Sequence, residues 1–248
     1  MDTIEQFDSH VMQTYDRLPL VMESGSGRTC TDEDGKRYLD FGSGIGTNSL
    51  GYCDAAWADA VCAQVRRMQH TSNYYYTKVQ ADFAERLCQI TGYKRVFFGN
   101  SGAEANECAI KLARKYSFDK YGAGRNVIIT LRNSFHGRTM ATLSATGQDC
   151  FHNYFFPFPE GFVYAEANDI DDLLKKMHNN VCAVMLEYIQ GEGGVVPLDS
   201  KYVDQLYDFC AKRDILVIAD EVQTGVGRTG TFLAGEQYAK KADITTLA

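Results

Sequence analysis

The sequence has little proline, no long apolar run and no sign of a signal peptide. It contains 4 prolines and 22 glycines in 248 residues, so no proline-rich linker is visible and we expect turns that depend on glycine. No run approaches the ~18 apolar residues of a membrane-spanning helix. The first five residues include the acidic Asp2 and Glu5 and lack the basic and apolar regions of a signal peptide. We therefore expect a soluble, cytoplasmic protein with no membrane partner.

Basic residues are also in the minority. The chain has 25 Lys and Arg against 32 Asp and Glu, for a net charge of −7. It lacks the basic surface that follows a phosphate backbone, so we expect no nucleic-acid partner. The eight cysteines contain no Cys-x-x-Cys pair, which disfavours a zinc site. Because several lie in apolar patterns, we expect buried, reduced thiols and no bound metal.

The chain is rich in apolar residues instead. A hydrophobic content of 45% and a charged content of 23% exclude a disordered chain and a coiled coil. At roughly 100–200 residues per domain, the length allows one large domain or two small ones.

Short β-branched runs alternate with helical patterns from about residue 54 onward, which is typical of a mainly parallel α/β sheet. The predicted strands are 95–98, 126–131, 181–186, 215–219 and 244–247. The predicted helices are 54–69, 79–91, 103–121, 169–178 and 200–213. The first 40 or so residues differ, because they predict a helix over 3–15 and then hairpins over 21–39 with glycine turns.

Polar loops follow the predicted strands, at the sheet edge where parallel α/β proteins bind ligands. After the first strand, small residues at 100–106 lead directly into a helix, which suits a phosphate at the helix N-terminus. An ordinary Ser-Gly helix cap explains the same residues. The loop 132–139 combines Phe135, His136 and Arg138 and could stack on a planar ligand. Taken singly, these three are also explained as a core, a structural and a surface residue.

Carboxylates characterise the other two loops. Glu187 and Glu192 lie in a glycine-rich turn and could act as general acid and base, as in a glycosidase. Residues 225–230 satisfy G-x-G-x-x-G, but we reject a dinucleotide site because the first glycine comes too long after the strand and no ribose-binding acid follows ~20 residues later. Asp220 is more informative, since a buried carboxylate at a strand end needs a cationic partner.

Together the four loops resemble the class III aminotransferases, pyridoxal-phosphate enzymes of fold type I. The similarity spans roughly residues 38–248 and is carried by residues 100–106, 135–139, 187, 189–192, 220–225 and 227–230. It implies an α/β fold whose large domain has a mainly parallel sheet of the seven-stranded type, flanked by helices. It also implies an N-terminal arm and part of a small α+β domain at 1–45, with the large cofactor-binding domain at 46–248.

The resemblance implies pyridoxal 5'-phosphate as the cofactor and gives each loop a role around it. The implied cofactor-binding residues are Ser101, Gly102, Ala103, Phe135, His136, Asp220, Val222 and Gln223. The first three would hold the phosphate at the helix start. Phe135 would stack on the ring with His136 beside it.

Asp220 and Glu187 are the implied catalytic residues. Asp220 would pair with the ring nitrogen and make the ring a better electron acceptor, while Glu187 is the acid that the family keeps near the ring. Val222 would pack behind the ring, and Gln223 would bind its phenolic oxygen.

Arg138 and Glu192 are the implied substrate-binding residues. The guanidinium of Arg138 matches an α-carboxylate, and Glu192 would help to sort amino donors from dicarboxylate acceptors. Residues 44–52 and 70–80 look most like the acetylornithine aminotransferases. They imply transfer of the δ-amino group of N-acetylornithine to 2-oxoglutarate, in arginine biosynthesis, by a homodimer with its sites at the interface. Ornithine, succinylornithine and 4-aminobutyrate enzymes are alternatives.

Two features depart from the family pattern. Tyr188 follows Glu187 where the family usually has proline, so we expect an altered loop with intact chemistry. The catalytic lysine should come directly after Ala248, where the sequence stops, and Lys240 and Lys241 precede the last strand. We expect either a truncated chain or a break at a cofactor-modified lysine, and we favour the break. In both cases we expect the rest of the small domain to be missing from this sequence. A non-catalytic fragment and a nicotinamide dehydrogenase are the rival interpretations.

Overall fold

The computed structural model describes residues 2–248. The chain divides into two compact units, of which the first ends at Tyr76 and the second begins at Thr77. These units reflect contacts within this chain, so the domain boundary expected between residues 45 and 46 stays a prediction.

The first unit contains a small antiparallel sheet and short helices. Its elements are α1 (Thr3–His10), β1 (Met22–Ser26), β2 (Thr29–Asp32), β3 (Arg37–Leu39), the single turn α2 (Ser43–Gly46) and α3 (Ala55–Arg67). The hairpins are confirmed, with Gly27 (φ 55°) and Gly35 (φ 80°) in their turns. Helix α1 ends five residues before the predicted residue 15 and has no buried residue. Without a buried face, little stabilises the helix beyond the capping box of Asp2 and Glu5.

The second unit is an α/β structure. Its elements are α4 (Lys78–Thr91), α5 (Gly102–Tyr121), β4 (Val127–Leu131), α6 (Met140–Ala145), β5 (Phe162–Ala165), α7 (Ile170–Lys176), β6 (Val181–Leu186), β7 (Ile189–Gln190), β8 (Val196–Pro197), α8 (Ser200–Arg213), β9 (Leu216–Asp220) and β10 (Ile244–Thr246). The helices predicted from residue 54 onward are all present, with small differences at their ends. In the part of the chain that the structure describes, no helix is long and apolar enough to cross a membrane.

The central sheet has the strand order β10-β9-β6-β4-β5, and all of its pairs are parallel. This confirms the α/β fold with a parallel sheet. Residues 2–248 supply five of its strands, fewer than the seven-stranded type expected. Strand β5 was not predicted, because it is only four residues long and three of them are partly exposed.

The strand predicted at 95–98 is wrong. These residues form no strand, and Phe97 is 65% exposed. A strand needs a neighbour for its backbone N–H and C=O groups. Val96, Phe97 and Phe98 instead line an apolar cavity of about 560 Å³ that is also bordered by Ile244 and Leu247. Strand β10 pairs with β9 and not with this segment.

Helices cover both faces of the sheet. Leu186 of β6 packs in one apolar cluster with Leu206 of α8, whereas Met185 packs in a second cluster with Ile110 of α5. All residues of β6 are buried, as expected for a central parallel strand. The sheet is therefore held from both sides, and its carboxyl edge presents side chains in defined positions.

Candidate active site

The polar loops meet at the carboxyl edge of the sheet. Parallel strands end at the same edge, so the residues after β4, β6 and β9 lie close to one another and to the N-terminus of α5. The contacts described below join all four of these segments.

The start of α5 approaches the loop after β9. Ser101 is the helix N-cap, and its hydroxyl accepts a hydrogen bond from the backbone N–H of Glu104 at 3.2 Å. A Cβ on Gly102 would lie 2.6 Å from Cγ1 of Val222, so only glycine permits this approach. The capping interpretation of Ser101 is thus confirmed. The first N–H groups of the helix have no acceptor within the helix itself, which leaves them suited to an anion.

The loop after β4 touches the same helix start. Gly137 has a φ of 127°, and a Cβ there would lie 2.8 Å from Cβ of Ala103. Phe135 is half-buried, and its ring centroid lies 5.6 Å from that of Phe151. The exposed guanidinium of Arg138 lies over the Phe135 ring at 5.8 Å, within cation–π range. The loop therefore brings an aromatic face and a cation to the N-terminal end of α5.

Asp220, the last residue of β9, is buried in a network of hydrogen bonds. Its Oδ2 accepts from Nδ2 of Asn106 and lies 2.7 Å from Nδ1 of His136. Its Oδ1 accepts from the backbone N–H of Val222 at 3.0 Å. The hydroxyl of Thr246 donates to Oδ1 of Asn106 at 2.7 Å. This network thus connects α5, β9, β10 and the loop after β4.

His136 is completely enclosed beside that carboxylate. Burial lowers the pKa of its imidazole, but the hydrogen bond and charge of Asp220 raise the pKa above the usual value of 6.5. Its Nε2 is buried and, among the residues that the structure describes, has no hydrogen-bond partner. This leaves an open hydrogen-bonding position in the site.

Glu187 follows β6 directly and faces the same network. Its Oε2 accepts the backbone N–H of Phe135 at 2.9 Å. Burial and the nearby charge of Asp220 raise the pKa of this carboxyl from 4.5 to about 8, against the opposing effects of His136 and the backbone N–H groups. The protonated acid is therefore the main form of Glu187 at neutral pH.

Glu192 and Gln223 meet at the exposed side of the site. Nε2 of Gln223 donates to Oε1 of Glu192 at 3.3 Å. Gln223 lies directly over Gly191, where a Cβ would come within 1.4 Å of its Oε1. Glu187 is buried and Glu192 is exposed, so the two acids have different surroundings.

The glycine-rich segment after β9 does not form a dinucleotide site. Residues 221–233 form turns and bends, not a helix. A dinucleotide fingerprint needs a helix N-terminus directly after its glycines to hold the pyrophosphate. The segment is held by the carboxylate of Glu221, which accepts the backbone N–H groups of Ala234 and Gly235.

Two lysines near the last strand are engaged outside this network. The ammonium group of Lys241 donates to the carbonyl of Thr91 and lies 3.6 Å from the ring centroid of Tyr93, and that of Lys240 pairs with Asp208. Among residues 2–248, no group of three or more His, Cys, Asp or Glu could hold a metal ion.

Two residues of the network were missing from the predicted site. Asn106 was part of the loop pattern but had no role, and Thr246 was counted only as part of a strand. A signal was present for Asn106, because an amide among the apolar residues of a helix needs buried partners. No sequence signal was available for Thr246, since threonine is common in strands.

Comparison with known proteins places this arrangement in a family. The family "Aminotransferase class-III" matches residues 11–248. The chain belongs to this family. Class III aminotransferases depend on pyridoxal phosphate, so the glycosidase and dehydrogenase interpretations of these loops are wrong.

Two relatives show the extent of the match. The chain is 53% identical to the acetylornithine aminotransferase of Haemophilus ducreyi, over 100% of this chain and 63% of the relative. It is 45% identical to that of Methanocaldococcus jannaschii, over 96% of this chain and 60% of the relative. The chain thus spans about three fifths of the length of the relatives that it matches.

Solved structures give the same result. The ornithine aminotransferase of Toxoplasma gondii matches with a TM-score of 0.94 and 32% identity, covering 98% of this chain and 58% of that chain. The N-acetylornithine aminotransferase of Stenotrophomonas maltophilia matches with a TM-score of 0.83 and 36% identity, covering 99% of this chain and 60% of that one. The class III fold is therefore established for residues 2–248.

The residues of the site fit the family's cofactor. Pyridoxal phosphate carries an anionic phosphate, a flat ring and a nitrogen that can be protonated. The structure offers a helix N-terminus at Gly102, a half-buried ring at Phe135 and a buried carboxylate at Asp220. The unpartnered Nε2 of His136 adds an open polar position beside them.

Proposed function

We propose that the protein is a pyridoxal-phosphate-dependent aminotransferase that converts N-acetylornithine and 2-oxoglutarate to N-acetylglutamate semialdehyde and glutamate. One observation carries the proposal: a helix N-terminus, an aromatic ring and a buried carboxylate converge in a chain that is 53% identical to an acetylornithine aminotransferase. The proposal extends to arginine biosynthesis, which this reaction serves.

Pyridoxal phosphate bound at this site would supply an electron sink for the electron pair left when the C–H bond next to the substrate's amino nitrogen breaks. Ser101, Gly102 and Ala103 would hold the phosphate, because the free N–H groups and the dipole of α5 attract an anion. Phe135 would stack on the ring from the loop after β4.

Three further side chains would fix the ring in its plane and orientation. Val222 would pack behind the ring, since it already fills the space next to Gly102. Gln223 would hydrogen-bond the phenolic oxygen through its amide. His136 would keep Asp220 in place through its Nδ1, at 2.7 Å from the carboxylate.

Asp220 would hold a proton on the ring nitrogen. An ionised carboxylate stabilises a cationic partner, and burial strengthens this attraction. Glu187 would be the second catalytic acid. With a pKa of about 8, its carboxyl carries a proton at neutral pH within the same network.

Arg138 would bind the α-carboxylate of the substrate in two parallel hydrogen bonds, and Glu192 would help to select the amino donor. Arg138→Lys should raise the KM for N-acetylornithine and 2-oxoglutarate about tenfold, because lysine cannot make the paired bonds. Steady-state kinetics would measure this, with a diamine that lacks a carboxylate as control substrate. Equal losses for the diamine and the acids would contradict the assignment.

The substrate proposal is tested by comparing amino donors. The gene product, expressed at its natural length and loaded with pyridoxal phosphate, is given 2-oxoglutarate and N-acetylornithine, succinylornithine, ornithine or 4-aminobutyrate, and glutamate is measured. The highest kcat/KM is expected for N-acetylornithine. A higher value for another donor would reassign the substrate within the class, and no glutamate from any donor would overturn the proposal.

We propose a homodimer as the working assembly. In the first unit, Tyr74 and Tyr76 are fully exposed in a row of three tyrosines, and in the second unit Tyr154 and Phe156 are exposed at 83% and 69%. Solvent-exposed aromatic groups of this size are typical of surfaces that bind protein. Light scattering of the full gene product should give twice the mass of one chain, and a monomer would contradict the proposal.

We propose a cytoplasmic location. All eight cysteines are free, which suits a reducing compartment. The exposed thiols are Cys53, Cys62 and Cys150, and the buried ones are Cys30, Cys182 and Cys210. Fractionation of the native cells with an antibody against the chain would test this location.

A further inference from the structure

The amide of Asn106 is fully engaged inside the site. Asn106 lies on α5 and is 1% exposed. Its Nδ2 donates to Oδ2 of Asp220 at 2.7 Å and to the carbonyl of His136 at 2.8 Å. Its Oδ1 accepts the hydroxyl of Thr246 at 2.7 Å. Both N–H groups and the carbonyl oxygen of this amide therefore have hydrogen-bond partners, which lie on three different segments of the chain.

These contacts limit the ways in which Asp220 can bind a further group. An ionised carboxylate has four acceptor positions, two on each oxygen. Asn106 and His136 use both positions on Oδ2, with Nδ1 of His136 donating because a carboxylate can only accept. The backbone N–H of Val222 uses one position on Oδ1.

The hydroxyl of Thr246 does not fill the fourth position. It lies 3.5 Å from Oδ1 of Asp220 but 2.7 Å from Oδ1 of Asn106. A hydroxyl has a single hydrogen, and the shorter contact is the stronger hydrogen bond. One acceptor position on Oδ1 of Asp220 is left open.

We infer that Asn106 is a positioning residue that locks the carboxylate of Asp220, with Thr246 holding the amide in turn, so that the single open position on Oδ1 receives the ring nitrogen of pyridoxal phosphate. This inference rests on the proposed function and names two residues that act through Asp220. Neither residue touches the reacting atoms itself.

The chemistry of the amide explains why asparagine stands here. Leucine has a similar shape but no donor, so it would remove one of the two donors to Oδ2 of Asp220 and the acceptor of the Thr246 hydroxyl. Aspartate would place a second carboxylate against Asp220, and two like charges this close cannot both stay ionised. Only a neutral group with both a donor and an acceptor satisfies both neighbours.

The test uses the gene product at its natural length, loaded with pyridoxal phosphate that carries ¹⁵N in its ring. The ¹⁵N NMR frequency reports the protonation of the ring nitrogen, and a titration gives the Kd of the cofactor. In the wild-type protein we expect a protonated ring nitrogen. Asn106→Leu should shift the frequency toward that of the unprotonated ring and raise the Kd about tenfold.

A matched control lies on the same helix. Ser117 is also buried on α5, but its hydroxyl donates to the carbonyl of Arg125, away from the site. Ser117→Ala should change neither the ¹⁵N frequency nor the Kd. The same shift in Ser117→Ala and Asn106→Leu would overturn the inference.

A second pair of variants covers the case in which Asn106→Leu does not fold. Thr246→Val removes the hydroxyl and should shift the ¹⁵N frequency in the same direction by a smaller amount, whereas Thr246→Ser keeps the hydroxyl and should restore the wild-type frequency. Equal frequencies in the wild type, Thr246→Val and Thr246→Ser would overturn the inference.

The outcomes separate this inference from the proposed function. A wild-type protein that binds no pyridoxal phosphate overturns both. A wild-type protein with a protonated ring, together with an Asn106→Leu variant that loses affinity but keeps the same ¹⁵N frequency, gives Asn106 a packing role and overturns only the inference.

Discussion

Glu187 is a carboxylic acid whose surroundings favour its neutral form. It is 5% exposed and lies near Asp220, and these two features raise its pKa to about 8. The same acid accepts the backbone N–H of Phe135, so it also fixes the residue assigned to the ring. Glu187 thus favours a bound proton and also positions the loop after β4.

The proton on Glu187 makes the folding stability depend on pH. Between pH 4.5 and about 8, Glu187 binds more protons in the folded chain than in the unfolded chain, so its contribution to the free energy of unfolding should fall as pH rises through this window. The slope from one such group is at most about 1.4 kcal/mol per pH unit. Glu187→Gln should flatten this part of the profile.

Urea unfolding at several pH values would measure the slope. Glu192→Gln is the matched control, because Glu192 is exposed in the same loop. His136 changes stability in the same direction above pH 6.5, so the difference between the wild type and Glu187→Gln isolates the carboxyl group. Parallel stability profiles for the wild type and Glu187→Gln would refute the raised pKa of Glu187.

At the scale of elements, the start of α5 depends on the absence of a Cβ at Gly102. Gly102 allows the helix to approach Val222, and a Cβ there would lie 2.6 Å from Cγ1 of that residue. Gly102→Ala should destabilise the chain by about 1–3 kcal/mol and weaken pyridoxal phosphate binding, since the helix start must move. Thermal unfolding and cofactor titration would measure both effects.

Two variants sharpen that experiment. Gly102→Ala combined with Val222→Ala removes the colliding methyl groups and should recover most of the lost stability. Gly42→Ala should have little effect, because its added Cβ would meet only the carboxylate of Asp40 at an ordinary 3.5 Å. The interpretation fails if the double variant is as unstable as Gly102→Ala alone.

The segment between β6 and β7 contains Tyr188, at the position where the resemblance implies proline. The residue is 1% exposed, its hydroxyl lies 2.5 Å from that of Tyr207 on α8, and its ring stacks on Tyr238 at 4.7 Å. Glu187 belongs to the buried network of the site, while Tyr188 anchors the next position in the core. Tyr188 is therefore held in the core by its packing and its hydroxyl contact.

The hydroxyl pair should contribute as a unit. Tyr188→Phe and Tyr207→Phe should each cost about 1 kcal/mol of unfolding free energy, because each leaves a buried hydroxyl without its partner. The double variant should cost less than the sum of the two. A denaturant-based double-mutant cycle checks this, and strictly additive losses would show that the two hydroxyls do not interact.

At the scale of the whole molecule, local patterns predicted most of the elements. Strand β6 and helix α8 have the bounds predicted from apolar runs and helical spacing. The segment 95–98 was misassigned because apolar composition does not reveal whether a pairing partner lies beside it. Strand β5 was missed because its partial exposure weakens the pattern.

The candidate site was predicted by loop order and resemblance, and its roles stay predictions. What the sequence could not provide was connectivity. The link from Asn106 to Asp220 joins residues 114 positions apart, and that from Tyr93 to Thr245 joins residues 152 apart. Such contacts depend on how strands are ordered in the sheet, which no local pattern specifies.

The buried thiols of Cys182 and Cys210 can report local unfolding of the elements that contain them. Burial raises the pKa of Cys182 to about 11 and that of Cys210 to about 12, so neither forms a reactive thiolate in the folded chain. A short pulse of alkylating reagent should modify Cys53, Cys62 and Cys150 in the native protein. Mass mapping of Cys182 and Cys210 would then record how often β6 and α8 open, which measures the local stability beneath the site without any introduced label.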